Sequence, residues 1–170
     1  MSVVIQIASI CEHPSQDKLK FWAETSRTSL ANNNLREIDL REIVLRLVDE
    51  TEMTELNTTY RGKPEPTNVL SFLAELPNTV LNTSELKNAI EQDKDLPLGD
   101  IVICAPVVAL EAKKQNKSLP AHWCHMVAHG VLHLYGLDHA KKADATIMEA
   151  LETKILARLG FPDPYLALKH

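Results

Sequence analysis

The segment HGVLHLYGLDH at residues 129–139 constrains this chain most, because it carries three histidines within eleven residues. On a helix, residues four apart differ by about 40° around the axis and about 6 Å along it, so His129 and His133 can direct their imidazoles at one point. Gly136 predicts the end of that helix, because glycine readily takes the positive φ that reverses the chain. The reversal would bring His139 back to the pair. The spacing predicts three imidazole ligands for one zinc ion with an open fourth position.

The spacing H-x-x-x-H-x-x-G-x-x-H is typical of metzincin-like zinc proteases, but the position of their glutamate base is here Gly130. Peptide hydrolysis needs a group that moves a proton from the attacking water to the leaving nitrogen, and glycine cannot do so. His122 and His125 extend the histidine stripe towards the N-terminus. Ligands at 125, 129 and 133 would spread over about 12 Å of helix and could not converge on one ion. We therefore interpret His122 and His125 as packing residues or as supports for the ligands.

Composition limits the class of protein. The chain has 170 residues, 45% of them hydrophobic, but no apolar run of the roughly 18 residues that a membrane span needs. The opening MSVVIQIASICEH has no basic region, so we expect no secretory signal. The net charge of −5 argues against non-specific coating of nucleic acid but allows a local basic cleft. Three widely spaced cysteines fit reduced thiols. We expect one cytoplasmic domain over residues 1–170 with no membrane contact.

Hydrophobic periodicity predicts a mixed sheet with helices packed on it. Strands 3–10 and 42–49 flank an amphipathic helix over 16–31, so this βαβ unit should pair its strands in parallel. Residues 77–97 are polar, which predicts an insertion or surface excursion with a possible helix over 84–91. The remaining predicted elements are a short helix over 51–59 closed by Gly62, strands at 67–75 and 99–104, and helices over 106–116, 121–135 and 143–159.

Four blocks of the chain resemble the signature blocks of the bacterial endoribonuclease YbeY family, in the family's order. They are TYRGKPEPTNVLSF (59–72), GDIVIC (99–104), HWCHMVAHGVLHLYGLDH (122–139) and MEALETKILARLGFPDPY (148–165). The combination of the histidine block with the R-G-K-x-x-P-T-N-V-L-S-F block is highly specific. The first fifty residues are similar to the family only in pattern, and the stretch at 77–97 is longer than expected for it.

The resemblance implies a single α+β domain, with a small mixed four-stranded sheet and helices around a metzincin-like zinc cleft. It implies that His129, His133 and His139 bind one Zn²⁺ ion and that Arg61 is the functionally critical arginine. The implied activity is cleavage of single-stranded RNA in ribosomal RNA processing, at the small-subunit 3′ end, and in ribosome quality control. The implied partners are ribosomal RNA, small-subunit proteins and an assembly GTPase.

A phosphodiester substrate would explain the missing glutamate. Its transition state gathers negative charge on non-bridging oxygens and needs cationic stabilisation most, which a metal and a guanidinium can supply. From the residues alone Arg61 cannot be preferred over Arg41 or Arg46. Two other functions stay open, a metal-dependent peptide or amide hydrolase with a base such as Glu149 or Asp138, and a non-catalytic ribosome assembly factor with a structural zinc.

Other residues have less specific interpretations. Asp138 either orients a ligand histidine or caps the turn. Met148 invites comparison with the methionine turn of the zinc proteases, but its helical spacing with Leu151 and Ile155 favours core packing. Four lysines are candidates for an RNA path, although charged runs are usually solvated: Lys63, Lys113, Lys114 and Lys117.

Overall fold

The structure is a computed structural model that describes residues 3–32, 41–74, 97–137 and 142–166. These residues form one α+β domain with a mixed four-stranded sheet and five helices. The strands are β1 (Val3–Ala8), β2 (Ile43–Val48), β3 (Val69–Leu73) and β4 (Gly99–Cys104). The helices are α1 (Gln16–Asn32), α2 (Glu50–Arg61), α3 (Ala105–Lys114), α4 (Leu119–Leu134) and α5 (Lys142–Arg158). The possible helix over 84–91 and nearly all of the predicted 77–97 excursion lie outside the described residues.

The sheet has the order β1-β2-β4-β3. Strands β1, β2 and β4 run parallel, and β3 pairs antiparallel with β4 at one edge. The predicted parallel pairing of the first two strands is confirmed, with Val3 opposite Ile43. A right-handed crossover through a helix is the usual way to join two such neighbours.

The two faces of the sheet pack against different helices. Side chains of Ile43, Leu45 and Ile101 are fully buried in the main core, with residues of α1, α4 and α5. On the opposite face Val102 and Leu70 join a smaller cluster with side chains of α2. Because side chains alternate between the two faces of a strand, the odd positions of β2 and β4 enter the main core. The even positions face α2.

The predicted apolar face of α1 is confirmed. The side chains at helical spacing on this face are all buried, namely Leu19, Trp22, Ala23, Ser26 and Leu30. The pattern did not reveal Arg27, which is 1% exposed and donates from Nη2 to the Arg41 carbonyl at 3.0 Å. A buried guanidinium needs such partners because an unpaired buried charge is very costly.

The cysteines and Met148 behave as apolar residues. The three cysteines are free thiols, with Cys104 and Cys124 buried and Cys11 half-buried. Burial raises the pKa of the Cys124 thiol to about 12, so that it is a neutral packing group. Met148 is fully buried in the main core, as its helical spacing predicted. None of the helices formed by the described residues is both long and apolar enough to cross a membrane.

Candidate metal and RNA site

Helix α4 carries the first two predicted ligands and has well-defined ends. Ser118 caps its start, with the side-chain oxygen accepting from the Ala121 backbone N–H. At its other end Gly136 has φ 98°. The Leu137 N–H donates to the Leu132 carbonyl at 3.2 Å and the Gly136 N–H to the His133 carbonyl at 2.9 Å. This is a Schellman motif, which confirms the predicted chain reversal at Gly136.

His129 and His133 lie side by side on the exposed side of α4. Their ring centroids are 6.3 Å apart and their planes are within 4° of parallel. The Leu137 carbonyl lies 3.0 Å from Nδ1 of His133. Since a carbonyl only accepts, this nitrogen must donate, and Nε2 keeps its lone pair. A ligand histidine held by a hydrogen bond from its other nitrogen is the usual arrangement in metal sites.

The third predicted ligand, His139, lies outside the described residues, as does Asp138. Within the described part of the chain no group of three His, Cys, Asp or Glu side chains could hold a metal ion. The two described members of the three-histidine donor set, His129 and His133, fit a divalent metal because both rings project from one helix face and Nδ1 of His133 donates, which leaves its Nε2 available.

Glu152 of α5 is a buried carboxylate directly behind the histidines. It is fully buried and accepts hydrogen bonds from His125 Nε2 and from the Tyr165 hydroxyl at 2.8 Å. Its Oε1 lies 3.5 Å from Nδ1 of His129. Burial alone would raise the pKa of Glu152, but hydrogen bonds from His125 and His129 lower it to about 2. Glu152 is therefore an ionised acceptor. It favours the His129 tautomer that carries its proton on Nδ1 and keeps the lone pair on Nε2.

Sequence reasoning missed Glu152, although a signal was present. It lies in an apolar helical stripe, four residues after Met148 and three before Ile155. A glutamate in such a stripe is buried and needs partners, because ionised side chains are rarely buried unless paired.

His122 and His125 are buried and each faces a carboxylate. His122 Nε2 lies 3.0 Å from Glu111 Oε1, and the Asn68 side-chain amide donates to the same carboxylate at 3.1 Å. Burial lowers the pKa of His125, against the opposing effect of Glu152, so His125 is a neutral imidazole whose Nε2 donates to Glu152. Both contacts agree with the interpretation of these histidines as packing residues or supports.

A cleft opens beside His133 on the α2 side of the sheet. Its volume is about 620 Å³, within the range of small-molecule sites. We call it the sheet cleft and define it by six of its lining residues, Arg46, Glu52, Tyr60, Phe72, Asp100 and His133.

Comparisons with known proteins show the family of this chain and agree with its fold. The family model described as "Endoribonuclease YbeY" matches residues 8–160. The chain belongs to the endoribonuclease YbeY family. A relative named endoribonuclease YbeY from Pseudomonas syringae pv. syringae (strain B728a) is 45% identical over 162 residues, which cover 95% of this chain and 86% of the relative. A solution structure of a protein from Thermotoga maritima matches with TM-score 0.51 and 22% identity, covering 92% of this chain and 91% of that protein. That likeness supports the fold alone.

Arg61, the arginine predicted from the family resemblance to be critical, is the last residue of α2 and is exposed. Among the described residues, those that line the sheet cleft include its neighbour Tyr60 and the more distant Arg46, but not Arg61. Arg46 forms a two-point pair with Glu52, at 2.6 Å and 2.8 Å. The structure therefore separates the two arginines: Arg46 is held in the cleft by a carboxylate, whereas Arg61 is exposed and does not line the cleft.

Two of the four candidate lysines line a second cleft. Lys114 and Lys117 border a space of about 470 Å³ together with His122 and His125. Burial lowers the pKa of Lys117. Lys63 and Lys113 are exposed and line neither cleft among the residues described.

Gly130 is small because α4 approaches the sheet closely at this point. A Cβ atom built there would lie 2.6 Å from Cγ2 of Ile101 and 3.3 Å from Cγ2 of Val69. The Ser71 hydroxyl donates to the Gly130 carbonyl at 2.9 Å. A side chain at this position would begin by pointing into the sheet and not towards the two ligands. Packing therefore explains the absence of a glutamate here.

We expect Gly130→Glu to destabilise the protein by more than about 4 kcal/mol, because it overpacks the core and buries a carboxylate without a partner. Urea unfolding followed by circular dichroism measures this. The control is Ala150→Glu, which adds the same side chain at an exposed position of α5 and should stay within about 0.5 kcal/mol of the parent. A Gly130→Glu variant as stable as the control would contradict the packing explanation.

Proposed function

We propose that this protein is a zinc-dependent endoribonuclease that cleaves single-stranded RNA. Its role would be ribosomal RNA processing, at the small-subunit 3′ end, and ribosome quality control. One observation carries the proposal: two parallel imidazoles, one with its Nδ1 donating to a carbonyl and the other beside a buried carboxylate, lie next to an open cleft in a YbeY family member. Small-subunit proteins and an assembly GTPase are the proposed partners, and the cytoplasm is the proposed location.

The metal would be held by His129, His133 and His139. When bound, zinc supplies Lewis-acid polarisation and charge neutralisation at the phosphate. The chain itself supplies the orientation of the ligands. Leu137 holds His133 through its backbone carbonyl, and Glu152 holds His129 from the protein interior. Arg61, the exposed last residue of α2, would stabilise the negative charge that develops on the phosphate oxygens.

The amide hydrolase alternative requires a proton-transferring base, and the described residues offer few. Gly130 cannot supply one, and Glu152 is surrounded by His125, His129 and Tyr165. Glu149 is exposed on α5, and Asp138 lies outside the described residues. Because neither Gly130 nor the engaged Glu152 can act as that base, a phosphodiester is favoured over a peptide.

A paired assay separates the three functions. The purified protein and its H129A/H133A variant are each incubated with single-stranded RNA, duplex RNA and casein. The proposal expects cleavage of single-stranded RNA alone, and its loss in the variant. Cleavage of casein would support the hydrolase. Equal RNA cleavage by both proteins, or none by either, would support the non-catalytic assembly factor.

Metal removal is expected to leave the fold largely intact. The main core joins the sheet to α1, α4 and α5 through aliphatic side chains, including Val127 and Val131 of α4 itself. The end of α4 is held by the backbone hydrogen bonds of the Schellman motif. A chain of this size does not need a metal to build its core, in contrast to a zinc finger. Circular dichroism before and after chelation should show unchanged helix content and a lower melting temperature. Cooperative loss of helix on chelation would contradict this.

A further inference from the structure

The sheet cleft contains an aromatic pair that the proposed chemistry does not use. The rings of Tyr60, in the last turn of α2, and Phe72, on β3, have centroids 4.8 Å apart with planes tilted by 52°. Tyr60 is 57% exposed, so much of its side chain is accessible to a ligand. Both rings line the same space as His133. Exposed aromatic rings in a cleft are the usual stacking surfaces for unpaired nucleobases.

The charges of the cleft are unfavourable for a phosphate. The positive charge of Arg46 is matched by its two-point pair with Glu52. Asp100 adds a second carboxylate, and no described residue donates a side-chain hydrogen bond to it. Burial raises the pKa of Asp100, as expected for a carboxylate that lacks a partner. Two carboxylates against one guanidinium repel a phosphate but accept hydrogen bonds from amino groups.

We propose that the sheet cleft is a nucleobase subsite, in which an unpaired base stacks on Tyr60 and Phe72 and donates from its exocyclic amino group to Asp100. The inference rests on the proposed function, since it places this base beside the phosphate at the histidines. The chemical class is a base with an amino group on its Watson–Crick edge, as cytosine donates from N4 to a carboxylate. Uracil carries an oxygen at that position and binds less well.

The subsite gives a physical reason for single-strand specificity. A base in a duplex is stacked on both faces, and its Watson–Crick edge is engaged by its partner. It can therefore reach neither the Tyr60 ring nor Asp100 unless the duplex opens, which costs a few kcal/mol. Single-stranded RNA avoids that cost.

The test measures binding of fluorescent RNA oligonucleotides by anisotropy in a His129→Gln background. We expect this background to slow cleavage, because His129 is a proposed zinc ligand, and His129 does not line the sheet cleft. Tyr60→Leu keeps an apolar side chain and removes the stacking ring, so we expect affinity for oligocytidine to fall by about 10-fold or more. Phe21→Leu is the matched control, because Phe21 is exposed on α1 away from the cleft, and it should bind as the background does.

Asp100→Asn supplies a second readout that a purely structural role would not change. Asparagine both donates and accepts, so the variant should lose the preference for oligocytidine over oligouridine. Melting temperatures confirm that each variant is folded. Unchanged binding by Tyr60→Leu and an unchanged base preference in Asp100→Asn would overturn the subsite while leaving the endoribonuclease proposal intact. A parent protein that neither binds nor cleaves single-stranded RNA would overturn both.

Discussion

Replacing Arg61 with alanine is expected to lower turnover on single-stranded RNA by about 100-fold or more, the size of effect seen when a donor to a developing oxyanion is removed. Since Gly130 leaves no base between the ligands, rate acceleration must depend on stabilising charge on the phosphate. Arg61→Lys keeps the charge but loses the planar two-point donor, so it should recover only part of the loss. The measurement is kcat/KM at subsaturating RNA.

Two further arginines make the Arg61 experiment specific. Arg158→Ala is the matched control, because Arg158 is also an exposed final residue of its helix, and it should turn over RNA as the parent does. Arg46→Ala tests the rival cation, because Arg46 lines the sheet cleft with His133. We expect a smaller loss for it, since Glu52 already neutralises its guanidinium. A large loss for Arg46→Ala with none for Arg61→Ala would assign the role to Arg46.

Features that depend on residues close together in the sequence could be predicted from it. The apolar strands β1, β2 and β4 and the buried face of α1 follow from periodicity, and the chain reversal at Gly136 follows from the conformational freedom of glycine. The parallel pairing of β1 with β2 follows from the handedness of βαβ units. All four strands were predicted from hydrophobic periodicity, but their order in the sheet was not, because periodicity carries no information on strand order. The role of Arg61 came from the family resemblance.

Features that depend on distant contacts could not be predicted. Glu152 meets His129 only because α5 packs against α4, and periodicity does not specify how two helices pack together. The packing at Gly130 could not be predicted from spacing either, because its close contact with Ile101 forms only when α4 packs on the sheet. Similarly, Tyr60 and Phe72 lie on different elements and meet only when α2 covers the sheet.

The metal assignment predicts different results for two histidines of the same helix. His133→Gln should weaken zinc binding by more than about 100-fold, above the range typical for loss of a group that merely orients a ligand. His133 is exposed, so its replacement should leave the fold intact. His125→Gln is the matched control, because glutamine can still donate to Glu152 in place of the imidazole, and it should weaken zinc binding by less than about 10-fold.

Titration of the apoprotein with zinc against a competing chelator measures both affinities, and it does not depend on whether RNA is cleaved. His125 contacts the carboxylate behind the site, whereas the Leu137 carbonyl holds Nδ1 of His133 and leaves its Nε2 available. His133→Gln would therefore remove a proposed ligand, whereas His125→Gln would replace a more distant support. Equal losses of zinc affinity in both variants would mean that buried His125 of α4 also binds the metal. A larger loss in His125→Gln would overturn the assignment to His129, His133 and His139.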